Sequence, residues 1–211
     1  FNSWNSYGEY IKYGEWLAEP RSEEVFMGEK LFIRQTGDSL IATYDKGNVS
    51  NNTLHSIYPL DTNESVSLYY LLGVINSKLL NWYYKIVNYL EVGKPMAEVK
   101  GIYIRKLPVA TADIVIMESV EVYVKELMEL CSRRYLTKQE FITFIINAYE
   151  PRKISEQLDH FYDNSFKDFC VELKKQKVKL TASQQMELLP LFDERKKQIS
   201  EISAHIKTIQ T

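Results

Sequence analysis

The spacing of apolar and polar residues changes character along this chain, and each change predicts a different kind of element. Lys30-Leu-Phe-Ile-Arg34 and Leu40-Ile-Ala-Thr-Tyr44 are rich in strand formers and flank the turn-forming run Gln35-Thr-Gly-Asp38. Together they predict a β-hairpin. Asp45-Lys-Gly-Asn48 and Asn51-Asn52 mark further turns, and Leu54-His-Ser-Ile-Tyr58 is a candidate third strand ended by Pro59. Beyond Asn63-Glu-Ser65 the period becomes helical, with Ser65 or Ser67 as candidate caps. Leu68, Leu71, Leu72, Ile75 and Leu79 recur at helical spacing, and Trp82, Tyr83 and Ile86 continue that face. Val99 to Ile104 predicts another strand, leading into Arg105-Lys-Leu-Pro108.

Residues 111–211 read as helix almost throughout. Met117, Val120, Val124, Leu127 and Cys131 form one stripe, and Thr137 with Glu140 resembles a capping box ahead of Phe141-Ile-Thr-Phe-Ile-Ile146. Pro151 ends that segment. Leu158, Tyr162, Phe166, Phe169 and Leu173 are expected on one face of a further helix. Thr181 with Ser183 suggests a break and a new cap after the basic stretch Lys174 to Lys179. Leu188, Phe192, Ile199, Ile202, Ile206 and Ile209 then follow the alternating three-and-four steps of a coiled-coil seam. Pro190 is expected either to kink that helix or to sit in its first turn. The expected fold class is α+β: a mixed α/β region at 1–110, followed by a long helical, coiled-coil-like region at 111–211. An antiparallel helical pair, 155–179 against 190–211, is expected in the second.

Composition narrows the class without naming a function. At 45% hydrophobic and 26% charged, the chain has the make-up of a globular protein. The 13% of aromatic residues suits a base-stacking or protein interface, and equally a tyrosine-rich core. A net charge of −2 excludes the strongly basic field of a free-standing nucleic-acid binder, though not a DNA-reading part of something larger. Charge is balanced in both halves, 11 basic against 12 acidic residues in 1–110 and 15 against 16 in 111–211. Cys131 and Cys170 form neither a disulfide framework nor a four-ligand zinc site, so reduced thiols in a reducing cytoplasm are expected. No run of about 18 apolar residues occurs, so no membrane partner is expected. The chain begins at Phe1 and ends at Thr211 within a helical pattern, as a piece of a longer polypeptide would.

Catalytic motifs are missing. There is no dinucleotide-binding glycine loop, no phosphate-binding loop and no nucleophile elbow. His55, His160 and His205 lie in different elements without metal-ligand spacing. The Asn-Pro-Pro-Tyr-type motif of adenine methyltransferases and the Pro-Asp with Glu-x-Lys arrangement of many restriction nucleases are both absent. Asp38 and Asp45 could be counted as paired carboxylates, but aspartates beside turns are far commoner as turn formers. No catalytic residue, metal site or cofactor is assigned to this chain.

Several runs, taken in order, resemble the TaqI-like C-terminal specificity domain. They are Tyr13-Gly-Glu-Trp-Leu-Ala-Glu-Pro-Arg21, Lys30-Leu-Phe-Ile-Arg-Gln-Thr-Gly-Asp38 and Ile41-Ala-Thr-Tyr-Asp45, then Asn52-Thr-Leu-His-Ser56, Tyr70-Leu-Leu-Gly-Val-Ile-Asn-Ser-Lys78 and Leu107-Pro108. The helical remainder resembles the tail of single-chain enzymes that join methyltransferase and endonuclease. The resemblance implies a target recognition domain that reads double-stranded DNA for a type II restriction-modification enzyme and is itself non-catalytic. S-adenosylmethionine and Mg²⁺ would belong to methyltransferase and nuclease domains elsewhere on the parent polypeptide, and the long helices would act as spacers or docking struts. The alternatives are a helical assembly module that docks a partner protein, and a fragment of a separate specificity subunit of a multi-subunit system.

Base readout needs paired donors and acceptors, which Arg and Lys offer to guanine and Asn and Gln to adenine. Arg34, Gln35, Thr36 and Asp38 cluster at the predicted hairpin tip, and Asn51, Asn52 and His55 form a second polar group. Lys94, Lys100, Arg105 and Lys106 are candidates for phosphate contacts, which position without specifying. Arg34 has a rival reading as a backbone clamp, because a motif shared by family members that read different sites cannot encode the difference. Asn51 and Asn52 serve equally as turn formers, and Asn76-Ser-Lys78 reads as a cap or packing device. Tyr83, Tyr84 and Tyr89 are stacking candidates, with Tyr83 also fitting the core stripe. Lys174, Lys175, Lys177 and Lys179 read as a solvated helix face or as a DNA-backbone contact.

Overall fold

The computed structural model describes residue 16 and residues 26–50, 53–59 and 66–210. The chain divides into two compact units, Phe1–Val120 and Glu121–Thr211. The fold class is α+β. The motif run 13–21 (apart from Trp16), the helix entry at 63–65 and Asn51-Asn52 lie outside the described residues.

The first unit is built on a three-stranded antiparallel sheet in the order β2-β1-β3. Its strands are β1 (Glu29–Arg34), β2 (Ala42–Lys46) and β3 (Leu54–Ile57). Glu29 faces Lys46 and Ile33 faces Ala42 across the hairpin, while Leu31 faces Ile57 across the other edge of β1. The predicted hairpin and third strand are therefore present. β1 is central and covered on both faces, which is why Lys30, Leu31, Phe32 and Ile33 are all buried.

Helices α1 (Leu68–Asn76) and α2 (Lys78–Val87) follow. Ser67 caps α1, and Ser77 ends α1 while its hydroxyl accepts from the Leu80 N–H to begin α2. That break overturns one expectation. A single face running from Leu68 to Ile86 presumes an unbroken helix, whereas the extended Ser77 resets the register. Leu80 and Tyr84 take the core positions of α2, leaving Leu79 (74% exposed), Trp82 (61%) and Ile86 at the surface. Tyr84 is fully buried and so unable to stack on a base, while Tyr89 is exposed.

The expected strand at 99–104 is also corrected. Thr36 and Glu98 form a single antiparallel bridge, after which the chain turns into a one-turn helix α3 (Gly101–Ile104). The run Ile102-Tyr-Ile104 has strand propensity, but the Tyr103 and Ile104 N–H groups are taken by the Lys100 carbonyl in a helical turn.

Helix α4 (Ile114–Tyr149) runs through the boundary between the units. Thr137 and Glu140 lie in its interior and start no new helix, because no Gly or Pro interrupts residues 114–149. In the second unit, Pro151 follows the helix end as expected. The next apolar series is not one helix but α5 (Glu156–Asp159), a 3₁₀ turn (Phe161–Asp163) and α6 (Phe166–Lys175). Ser155 and Ser165 cap α5 and α6, because each hydroxyl accepts the N–H three residues on. Thr181 begins α7 (Ala182–Ile209) through a capping box with Gln184. Pro190 lies in the interior of α7, and the helix continues through it. One core joins Phe141 and Ile145 of α4 to Leu158, Phe161, Phe169, Leu173, Leu188, Phe192 and Ile199.

Candidate nucleic-acid interface

The loop between β1 and β2 is short, polar and tied down at every side. Its mouth is closed by the Arg34 N–H donating to the Ile41 carbonyl at 3.0 Å. The Gln35 N–H donates to the Thr53 carbonyl at 3.0 Å, joining the loop to the approach of β3. On its other side, the Val99 N–H donates to the Gln35 carbonyl at 2.7 Å and the Gly37 N–H to the Ala97 carbonyl at 2.8 Å. The Gln35 side chain then donates to a Glu98 carboxylate oxygen at 2.6 Å. Gly37 has φ +139°, a region open to glycine and strained for other residues. A Cβ there would lie 2.5 Å from Arg34 Nη2, so the guanidinium is folded over the glycine backbone.

The returning arm is held by two asparagines: Asn76, which the sequence suggested as a cap or packing device, and Asn81, which it did not single out. Asn76 grips Ala42 with both ends of its amide: Oδ1 accepts from the Ala42 N–H at 2.9 Å and Nδ2 donates to its carbonyl at 3.0 Å. Asn81 Oδ1 accepts from the Leu40 N–H at 2.7 Å, while its Nδ2 reaches the Ile75 and Ser77 carbonyls at 3.3 Å. The helix break at Ser77 thus places two side-chain amides where a neighbouring strand would otherwise stand. These bonds satisfy backbone groups at an edge and fix the loop's direction.

The segment 94–100 is fixed by a second set. Glu91 is nearly buried and accepts from Lys94 Nζ and Lys100 Nζ, both at 3.1 Å, and from the Glu98 N–H at 3.3 Å. The lysine hydrogen bonds, Lys94 foremost and Lys100 next, hold its carboxyl below the usual glutamate range, and Glu91 in turn raises Lys100. The buried Tyr84 hydroxyl accepts from Asn88 at 2.8 Å and from the Lys100 N–H at 3.3 Å. Burial pushes the Tyr84 phenol up against the lowering effect of those two bonds. His55 lies within 2.6 Å of the Val99 carbonyl through Nε2, which must therefore carry the proton.

The residues singled out from the sequence consequently separate by behaviour. Gln35, His55, Lys94 and Lys100 bond within the unit, and Asp38 stands 3.9 Å from Lys85 in an exposed ion pair. Arg34, Thr36, Arg105 and Lys106 are exposed and enter no ion pair among the described residues. Asn51 and Asn52 lie outside the described residues. Glu91, Glu98 and Asn81 were missed as supports, and Tyr84 was read as a stacking candidate instead. Only the Asn76-Ser-Lys78 run carried a signal, because Ser is a common cap.

Among the described residues, no cluster of His, Cys, Asp and Glu could hold a metal ion, and no helix is long and apolar enough to cross a membrane. The family that the fold accompanies is one of DNA sequence-specificity domains of restriction-modification systems, which are non-catalytic. The chain belongs to the TaqI-like C-terminal specificity domain family, whose family model matches residues 2–109. Residues 114–211 match a second family, described as a domain of unknown function (DUF8810). No match was found among curated proteins or among solved structures.

Proposed function

We propose that the chain selects the DNA site for a type II restriction-modification enzyme whose adenine methyltransferase and endonuclease lie elsewhere on the same polypeptide. In this reading it supplies recognition of the duplex and no chemistry. S-adenosylmethionine and Mg²⁺ act in those other domains, in the cytoplasm. The observation that carries the reading is the family match over residues 2–109. The pinned loop supports it, because a reader of base edges needs polar side chains on a rigid mount. Arg34 and Thr36 are the candidates for contact at the loop, with Arg105 and Lys106 as phosphate contacts. Gln35, Asp38, His55, Lys94 and Lys100 act chiefly by holding the loop and the 94–100 segment in place, and Asn51 and Asn52 remain in the proposed face.

Two substitutions separate reading from positioning. Arg34→Ala is expected to weaken binding to the cognate duplex about 10-fold to 100-fold if the guanidinium pairs with a base, and to relax specificity at one position. Lys106→Ala is expected to weaken binding equally across sequences and to lower the salt slope by about 1. Fluorescence anisotropy over a salt series checks both, and no change in either variant removes the assignment. The function itself is tested by mapping adenine methylation in genomic DNA with and without the parent gene. A map unchanged by the gene would refute it.

A second reading has one observation in its favour. In the first unit, an apolar groove of about 600 Å³ is lined by Leu79, Trp82, Tyr83, Val109, Ile116 and Val120, among others. Such a surface suits a docked protein. If assembly were the whole function, the chain would not bind duplex DNA at any salt concentration.

A further inference from the structure

The second unit has a basic corner that neither the loop site nor the helical core uses. Gln176 ends helix α6, and the Lys177 N–H donates to the Lys174 carbonyl while the Val178 N–H donates to the Leu173 carbonyl. This is a Schellman turn, and Val178 and Leu173 make its apolar contact inside the core. The residue that must adopt the left-handed conformation in such a turn is usually glycine. Here it is Lys177, at φ +70°. The Arg152 N–H donates to the Gln176 carbonyl at 3.1 Å and so lays the end of α4 against this turn.

Two segments distant in sequence thereby bring together Arg152, Lys153, Lys174, Lys175, Lys177 and Lys179, all exposed. Within 150–153 and 172–179 the only acids are Glu150 and Glu172, an excess of four positive charges. Glu172 is turned inward, where it accepts from Ser155, Gln176 and Lys175. Of the six cations, Lys175 alone enters an ion pair among the described residues. Cations in the last turn of a helix offset its dipole, which accounts for Lys174 and Lys175. It does not account for Arg152, Lys153 or Lys179, which lie outside the helix, nor for a lysine in a glycine's conformation.

We propose that this corner grips the phosphate backbone of duplex DNA, giving the helical unit its own sequence-independent contact. The inference deepens the recognition reading above and rests on it. The partner is a polyanion rather than a single phosphate, because the cations are spread over two loops and converge on no pocket. Four neutralised phosphates would make affinity fall steeply with salt, at about 0.9 in log K per contact.

The test uses the whole chain and a random-sequence duplex of about 30 base pairs, followed by anisotropy from about 50 to 200 mM KCl. Combining Arg152→Gln, Lys153→Gln, Lys177→Gly and Lys179→Gln should weaken binding at least tenfold and flatten the salt slope by about 3.6. Lys177→Gly alone should lower the slope by about 1 while leaving Tm equal or higher, since glycine relieves the left-handed strain. A loss of affinity in a variant that folds at least as well cannot be assigned to unfolding. An unchanged slope in the fourfold variant overturns the proposal, as does wild-type DNA binding combined with lost association with the parent's other domains. If Arg34→Ala leaves cognate binding intact while the fourfold variant loses affinity, the loop assignment fails and the corner stands. The opposite pattern fails the corner alone.

Discussion

Replacing Lys30 by methionine is expected to remove about 3–5 kcal/mol from the stability of the first unit, as truncating one partner of a buried ion pair does. Lys30 is 0% exposed on the central strand. An ammonium has three donors, and all three are taken: Asp45 at 3.0 Å, the Gly28 carbonyl at 3.2 Å and the Phe26 carbonyl. The Phe32 ring lies 5.2 Å away and adds a cation–π contact. Methionine matches the volume but leaves two carbonyls without a donor and a largely buried carboxylate with its Asn48 bonds but no counter-charge. Urea unfolding followed by tryptophan fluorescence, whose three sources (Trp4, Trp16 and Trp82) all belong to the first unit, measures the loss, and a change below about 1 kcal/mol would show that the pair is dispensable. Lys30→Met combined with Asp45→Asn should recover part of the loss, because the stranded charge is then gone.

The same pair sets a pH dependence with a definite sign. Burial pushes the Asp45 carboxyl up, but hydrogen bonds from Asn48 and Lys30 outweigh it, and the net shift is downward. A carboxyl held below its unfolded value adds stability that is complete above that unfolded value and disappears as pH falls through the folded one. The wild-type chain should therefore lose stability on acidification below about pH 4, and Lys30→Met should lose less over that range.

The hairpin was legible because strand-forming residue types and turn chemistry agreed over Lys30 to Tyr44. The pinning of its loop was not. Bonds from Val99 to Gln35 and from Asn76 to Ala42 join residues whose sequence separation carries no local signal. The α2 face was misread for a related reason. Leu79, Trp82 and Ile86 keep perfect step with Leu72 and Ile75 only if the backbone is helical through Ser77, and one extended residue moves that stripe to the surface. Leu158, Phe169 and Leu173 were correctly placed on a buried face, but the element that carries them was wrong, and Phe161 rather than its neighbour Tyr162 takes the core position. Hydrophobicity reports burial, whereas capping serines at 155 and 165 decide where each turn of helix stops. The proposed recognition face rests on residue type, since a guanidinium and a hydroxyl at a hairpin tip are suited to base edges. Which of its members are occupied internally depended on Glu91 and Glu98, whose partners only folding brings near.

Phe161→Ala is expected to cost the second unit about 3–5 kcal/mol. Phe161 is fully buried in the 3₁₀ turn between α5 and α6, with ring centroids 4.2 Å from Phe141, 5.7 Å from Phe192 and 6.3 Å from Phe169. Three segments of chain meet at that ring, so neighbouring side chains cannot collapse into the space without dragging a helix end with them. Cys170 gives a local readout. It sits on α6 beside Phe169, half-buried, and burial raises its thiol above the usual range, so it should react slowly with disulfide reagents. In a Cys131→Ser background, a loss of about 3 kcal/mol makes opening roughly 100-fold more frequent, and labelling of Cys170 through the open state should quicken to match. Rates within about threefold of the parent would mean that the ring cluster does not hold the unit together. The result also bears on the basic corner, because the Schellman turn beneath Lys177 is anchored by Leu173 and Val178 in the same core. Phe161→Ala should weaken DNA binding together with stability, whereas Lys177→Gly weakens it alone, and only that difference assigns the corner's affinity to charge.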